Sequence, residues 1–272
     1  MPVPDTDSET LQAAADAPRP GDSYVQSFAR GLAVIRSFDA RSPQQTLSEV
    51  AQRTGLTRAG ARRILLTLEG LGYVRSQGRQ FCLTPKILDL GFAYLSSLPL
   101  WNLAEPVMEK LVEELKESCS AAVLDGADIV YVLRVPTHKI MSINLGIGSR
   151  LPAACTSMGR TLLAELDDAT VEALLARHPP VAHTDRTITD PAALRTELAR
   201  VHRQGWCVVD QELEEGLVSL SVPIRDRSGR AIAAMNVSGQ AARTPAGQMV
   251  AQFLPRLQQA AAQISQMLLV RA

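Results

Sequence analysis

Aromatic residues make up only 4% of this 272-residue chain, and cysteine and histidine number four each. Cores must therefore come from Leu, Val and Ala, within an apolar fraction of 46%. Cys82, Cys119, Cys155 and Cys207 are widely spaced, contain no C-x-x-C, and make no zinc-like pattern with His138, His178, His183 or His202. That argues against a metal site and for free thiols in a reducing compartment, so no cofactor is expected. Also missing are the Gly-rich phosphate loop G-x-x-x-x-G-K-[ST], the dinucleotide fingerprint G-x-G-x-x-G and the nucleophile elbow G-x-S-x-G. No apolar run is long enough to span a bilayer and no signal peptide is visible, which predicts a cytoplasmic protein.

Net charge is also lacking, with 28 basic and 28 acidic residues. Its distribution is uneven. Residues 1–23 carry one Arg against five acids, residues 24–85 nine Arg against three, and residues 86–272 eighteen bases against twenty. A basic segment beside a neutral one is the electrostatic footprint of a nucleic-acid-binding module. The polar, acidic, Pro-punctuated residues 1–23 read as a disordered tail.

What is present is clearest in residues 46–84. Thr46 and Glu49 have the spacing of a capping box, with Leu47, Val50 and Ala51 on one helix face. Gly55 stands where a helix end needs positive φ, and Leu56 anchors the turn. Thr57 caps a second helix whose Ala61, Ile64, Leu65, Leu68 and Leu71 repeat at helical spacing. Arg58, Ala59, Arg62 and Arg63 fall outside that stripe, in the half of a recognition helix that meets base edges. Tyr73, Val74 and Arg75 open a strand, Gln77-Gly78 reads as the turn, and Phe81, Cys82 and Leu83 return. Arg75 and Arg79 belong to that hairpin, or wing. A preceding helix is expected over 26–38, with Leu32, Ala33, Ile35 and Phe38 inward and Arg30 available to a phosphate. Helix, turn, helix and hairpin together predict a winged helix-turn-helix over residues 24–84 that binds double-stranded DNA.

Thr84-Pro85 then starts a helix whose body, Ile87 to Leu98, is apolar on nearly every side. Such a helix must be covered, by its twin in a dimer or by the chain's own domains. Residues 85–100 are read as this linker, with Pro99 and Trp101 at its end. Residues 101–272 change to an α/β pattern. Helices are expected at about 103–117, 158–166, 169–177, 192–204 and 246–270. Strands are expected at 121–124, 129–135, 140–145, 207–210, 217–224 and 231–238, with turns at Asp125-Gly126 and Asp226–Gly229. Such turns imply a mostly antiparallel sheet with helices against it, an α+β class.

Two features of this second part suggest a small-ligand site. The loop Leu151–Ser157 runs into a helix capped by Thr156 or Ser157, offering amides near Met158 and Gly159 to an anion, with Arg160 close by; a purely structural cap is the alternative. If the strands at 217–224 and 231–238 pair, Ser219, Ser221, Asn236 and Ser238 share one polar surface, facing either a ligand or water. Glu212, Glu214 and Glu215 read as a solvated acidic loop rather than a catalytic pair. Ser157 and Cys155 have no evident base, which disfavours an enzyme.

The segments Arg30–Ile35, Leu47–Ala51, Thr57–Leu68 with Gly72-Tyr73, Leu151–Arg160, Glu215-Gly216 and Val222–Ile224 carry a resemblance. The chain resembles the IclR family of bacterial transcription regulators over about residues 24–269. The resemblance implies a winged helix, a dimerising linker helix and a C-terminal effector domain of GAF-like α/β fold, assembled as a dimer or a dimer of dimers. Arg134–Met141 and Cys155–Arg160 are similar to the PcaR/PobR branch, which controls aromatic-acid catabolism through the β-ketoadipate pathway in response to protocatechuate, 4-hydroxybenzoate or β-ketoadipate. His138-Lys139 departs from the arginines expected there. The implied effector positions are the loop from Cys155 through Thr156, Ser157, Met158 and Gly159 to Arg160, together with Asp210, Glu212, Ser219, Asn236 and Ser238. Arg134 or Arg160 would neutralise an acid, and Thr156, Ser219 and Ser221 would bond its oxygens. For Arg134 the plain alternative is a surface strand arginine.

Overall fold

The structure is a computed structural model that describes residues 24–96, 100–137 and 145–270. The expected disordered tail, most of the expected strand at 140–145, and His138 and Lys139 lie outside the described residues; Leu145 itself is in no strand. The chain divides at Ser96/Ser97 into two compact units.

The first unit opens with α1 (Gln26–Arg36), followed by β1 (Gln44–Thr46), α2 (Leu47–Thr54) and α3 (Arg58–Gly70). Each boundary has a local cause. Glu49 N reaches the Thr46 hydroxyl while the Glu49 carboxylate accepts from Thr46 N at 2.6 Å, the reciprocal capping box expected from the sequence. Gly55 ends α2 at φ 64°, in the left-handed region that suits glycine. Thr57 accepts from Gly60 N at 3.1 Å and starts α3. Val34, Phe38, Val50, Ala51, Ala61, Leu65, Leu68 and Val74 form the core.

Two residues placed inside by periodicity are outside. Leu32 is 42% exposed, with Val34 taking the inner position, and Leu71 is 53% exposed because α3 has already ended. The wing pairs β2 (Val74–Gln77) with β3 (Gln80–Leu83). Its two-residue turn is Gly78-Arg79, one position beyond the expected Gln77-Gly78, because Gln77 pairs with Gln80 and Gly78 takes φ 63°. β1 adds a third strand to β3. Three residues with no alternation gave no signal for it. After Thr84 the chain makes a 3₁₀ turn, Pro85–Ile87, before α4 (Leu88–Ser96). Leu88, Leu90, Phe92 and Tyr94 of α4 are all at least half exposed.

The second unit is a six-stranded, wholly antiparallel sheet in the order β6-β5-β4-β9-β8-β7. Its strands are β4 (Ser118–Asp125), β5 (Asp128–Val135), β6 (Arg150–Pro152), β7 (Cys207–Asp210), β8 (Leu217–Arg225) and β9 (Ala231–Gln240). The short β6 had no sequence signal. Helices α5 (Leu100–Leu115) and α9 (Ala246–Val270) pack together, α9 against β8. Val218, Leu220 and Val222 are fully buried on one face of β8. Alternation sends Ser219 and Ser221 to the other face, where α6 (Ser157–Leu163), α7 (Asp168–Arg177) and α8 (Pro191–Gln204) contribute Met158, Leu162, Leu175 and Leu198 to a second core. α6 is shorter than expected, starting at Ser157 and ending before Leu166. No helix among the described residues is long and apolar enough to cross a membrane.

Candidate functional site

Two surfaces carry the residues that the sequence singles out. On the first unit, Arg58, Ala59, Arg62 and Arg63 are exposed along the first half of α3, with Thr57 at its cap. Arg30 on α1 and Arg79 at the wing turn are exposed as well. None of these arginines has a carboxylate partner among the described residues, whereas Arg53 is paired with Asp39. Unpaired guanidinium groups on an exposed helix face keep their full charge for a polyanion. Arg75 differs: its Nε donates to Cys82 Sγ at 3.1 Å, so part of its side chain leans on the wing. Glu69 was not singled out by sequence, yet its Oε1 accepts from Ser76 N at 3.0 Å and Ser76 Oγ at 2.5 Å. It fastens the wing to the end of α3. Thr84 Oγ1 donates to Gly72 O at 2.5 Å and Lys86 Nζ to Leu71 O at 2.8 Å, which ties the start of the linker to the same corner.

In the second unit a cleft of about 530 Å³, mouth included, opens beside the sheet face that α6 covers. Arg134, Cys155, Thr156, Ser157, Met158, Ser219, Asn236 and Ser238 line it, all of them residues expected at a ligand site. The pairing that the argument required is present. Ser219 lies opposite Ser238, and Ser221 opposite Asn236. This face does not meet water: Ser219 and Asn236 are 8% and 3% exposed. Ser157 Oγ lies 2.7 Å from Ser219 Oγ, and Asn236 Nδ2 donates to Ser219 Oγ at 2.8 Å and Ser238 Oγ at 2.9 Å. The walls are Tyr131, Leu145, Leu151, Val209, Leu213 and Leu217. Sequence reasoning missed them because an apolar wall residue looks like any core residue.

Five expected residues are elsewhere. Arg160 is 1% exposed and spent on structure: Nη1 and Nη2 donate to Glu212 Oε1 and Oε2 at 2.6 and 2.5 Å, and Nε donates to Ala154 O at 2.7 Å. Glu212 is therefore no solvated loop residue; it is buried, and its Oε2 also accepts from Ile188 N at 3.0 Å. Asp210 accepts from Arg186 at 2.9 Å on the surface. Ser221 Oγ lies 2.6 Å from Thr161 Oγ1, inside the α6 contact rather than in the cleft. Gly159 is a packing requirement, since a Cβ there would sit 2.2 Å from Ala153 O. The anion-binding helix end expected at Ser157–Gly159 is also taken, because Gly159 N donates to Thr156 Oγ1 within a buried seven-residue helix.

Arg134 is half-buried and is the one charged side chain among the described lining residues. Its nearest polar contact is Ser120 Oγ, 3.4 Å from Nη1, and no carboxylate neutralises it among the described residues. Burial pushes the Tyr131 phenol up to about 12 despite the opposing charge of Arg134, so the ring stays neutral. Burial likewise pushes the Cys155 thiol up to about 11, Arg160 opposing and Glu212 reinforcing. A thiol that is protonated at neutral pH is a wall, not an activated nucleophile. The geometry provides a partly buried cation, neutral hydroxyls and an apolar enclosure, a combination that can desolvate and hold a small organic anion.

Comparison with known proteins places both units. Residues 27–78 match the IclR helix-turn-helix domain, and residues 92–266 match the C-terminal region of the bacterial transcriptional regulator IclR. The chain is 44% identical over 257 residues to the Pca regulon regulatory protein of Pseudomonas putida, covering 94% of this chain and 87% of that one. It is similar in structure to a transcriptional regulator from Rhodococcus sp. RHA1, with a TM-score of 0.83, 50% identity, and coverage of 92% of this chain and all of that one. An IclR homologue from Microbacterium hydrocarbonoxydans, solved with 4-hydroxybenzoate, matches with a TM-score of 0.80, 27% identity, and coverage of 89% and 99%.

Proposed function

Since the chain belongs to the IclR family of bacterial transcriptional regulators, we propose that it is a cytoplasmic, homo-oligomeric switch rather than an enzyme, binding operator DNA and a small carboxylic acid. The acid comes from aromatic catabolism, with protocatechuate, 4-hydroxybenzoate and β-ketoadipate the compounds to test. The observation that carries this reading is Arg134, a partly buried cation without a carboxylate partner among the described residues, at the edge of a hydroxyl-lined cleft. The relative named for the Pca regulon and the structural neighbour holding 4-hydroxybenzoate support it.

In this reading Arg58, Ala59, Arg62 and Arg63 enter the major groove with Thr57 at the helix start, while Arg30, Arg75 and Arg79 contact phosphates or the minor groove. Residues 24–84 form the DNA-binding domain, 85–100 a dimerising linker, and 101–272 the effector domain, in a dimer or dimer of dimers. The exposed apolar side chains of α4 support the pairing role. The effector shifts the balance between two quaternary arrangements only to the extent that it binds them unequally.

Calorimetry of the full chain with the three acids, together with gel shifts on the neighbouring intergenic DNA, tests both halves. Heat with at least one acid, and weakened DNA binding by the Arg62→Ala, Arg63→Ala double variant, are expected. Silence with all three removes the aromatic-acid reading. Parent-like DNA binding by the double variant at moderate salt removes the recognition-helix assignment.

A further inference from the structure

The hydroxyls at the back of the cleft form a closed account of protons, and it does not balance. A serine hydroxyl donates one hydrogen bond and accepts two, and an amide nitrogen donates two. Asn236 spends both Nδ2 protons, on Ser219 Oγ and Ser238 Oγ. Ser238 Oγ donates to Ser219 Oγ at 3.1 Å. Ser219 Oγ has thus filled both acceptor positions, so its own proton goes to Ser157 Oγ, 2.7 Å away. Two groups are left over. Asn236 Oδ1 is buried with no hydrogen-bond partner, in a residue 3% exposed. Ser157, 1% exposed, keeps a proton with no acceptor among the described residues. Both residues line the cleft, and both are bonded to the same Ser219 oxygen.

An orphaned buried acceptor is costly unless something supplies its donor. We propose that the ligand supplies it, and that the polar floor of the cleft selects a neutral hydroxyl. The ligand's O–H donates to Asn236 Oδ1, and its oxygen accepts from Ser157 Oγ. A carboxylate offers acceptors alone and leaves Oδ1 unpaired; a bare ring edge serves neither group. With Arg134 taking the acid end, the ligand class is a hydroxy acid, and Asn236 is the residue that distinguishes it from the plain acid and from a diacid. This inference rests on the acid-binding reading above and narrows it.

The test is calorimetry on the full-length protein with 4-hydroxybenzoate, benzoate and β-ketoadipate. The parent should prefer 4-hydroxybenzoate over benzoate by roughly tenfold to a hundredfold, the factor expected from leaving a buried polar group unpaired. It should also prefer it over the keto diacid. In Asn236→Ala the preference over benzoate should fall to about threefold or less, because the orphan acceptor has gone, and Ser157→Ala should reduce it in part. Equal binding of benzoate and 4-hydroxybenzoate by the parent overturns this inference alone. So does a preference that survives in Asn236→Ala. Tightest binding of β-ketoadipate overturns it too, since that is the pattern of an amide turned to present its N–H groups. Binding of none of the three overturns the acid-binding reading and this inference with it. If both variants fail to fold, the parent's own ratios decide.

Discussion

Removing the Glu212 carboxylate should damage the second unit more than any surface substitution. Arg160 and Glu212 are joined by two hydrogen bonds of 2.6 and 2.5 Å, and their side chains are 1% and 10% exposed. In Glu212→Ala the guanidinium keeps only its bond to Ala154 O, and water cannot reach it without opening the packing of α6. Ile188 N loses its acceptor as well. An uncompensated buried charge costs about 3–5 kcal/mol. For a unit of this size, each kcal/mol moves the melting midpoint by about 2–4 °C, so a fall of about 6–20 °C is expected. Thermal unfolding of the full chain, followed by circular dichroism, reads it. The double variant Arg160→Met, Glu212→Leu should recover most of the loss, since no charge is left buried, but not all, because Ala154 O and Ile188 N stay unpaired at roughly 1 kcal/mol or more each. A Glu212→Ala midpoint within about 2 °C of the parent would refute the claim that the pair is sealed from solvent.

Gly159→Ala places a methyl 2.2 Å from Ala153 O and 2.3 Å from its Cα, so backbone must move; a loss of about 3 kcal/mol or more is expected in chemical denaturation. Ser221→Ala tests the assignment of Ser221 to the α6 contact: it should cost about 1 kcal/mol by leaving Thr161 short of a partner, while acid affinities measured by calorimetry stay within about twofold. Thr57→Ala removes the cap of the proposed recognition helix and should cost about 0.5–2 kcal/mol, with weaker DNA binding in gel shifts. The hydrogen bonds from Thr46, first the backbone N–H and then the hydroxyl, hold the Glu49 carboxyl below the usual carboxylate range. A lowered folded-state value means a stabilisation that is present above the unfolded value near 4.3 and lost as pH falls through the folded one. Parent and Glu49→Gln stability curves should therefore converge below about pH 4; curves that stay parallel through acid would contradict the capping box.

How much of the molecule could be read from sequence follows the distance between partners. Thr46 and Glu49 are three residues apart, and so are Thr57 and Gly60, so their geometry is fixed by one helical turn. Where the reading failed locally, by one residue at the wing turn or at Leu71, a neighbouring pairing or a helix end decided between near-equal choices. The site is different. The alternation of Ser219 and Ser221 was visible, and with it the face they share with Asn236 and Ser238, but alternation cannot separate a sheet face that meets water from one that meets a helix. Arg160 shows the opposite error. A charge beside a small-residue loop suggested a ligand contact, and only its burial against Glu212 revealed a structural role.

By itself, then, the sequence determined the winged helix, the basic character confined to it, the apolar linker helix and the strands of the antiparallel sheet. Each rests on periodicity, capping or composition within a few residues. Tertiary structure alone decided which polar groups face the cleft. Ser157 meets Ser219 across 62 positions, and Arg160 meets Glu212 across 52. The physical reason is desolvation. A serine, an arginine or an asparagine has the same chemistry everywhere along the chain, and it becomes binding machinery or internal scaffold only when folding fixes what replaces the water around it.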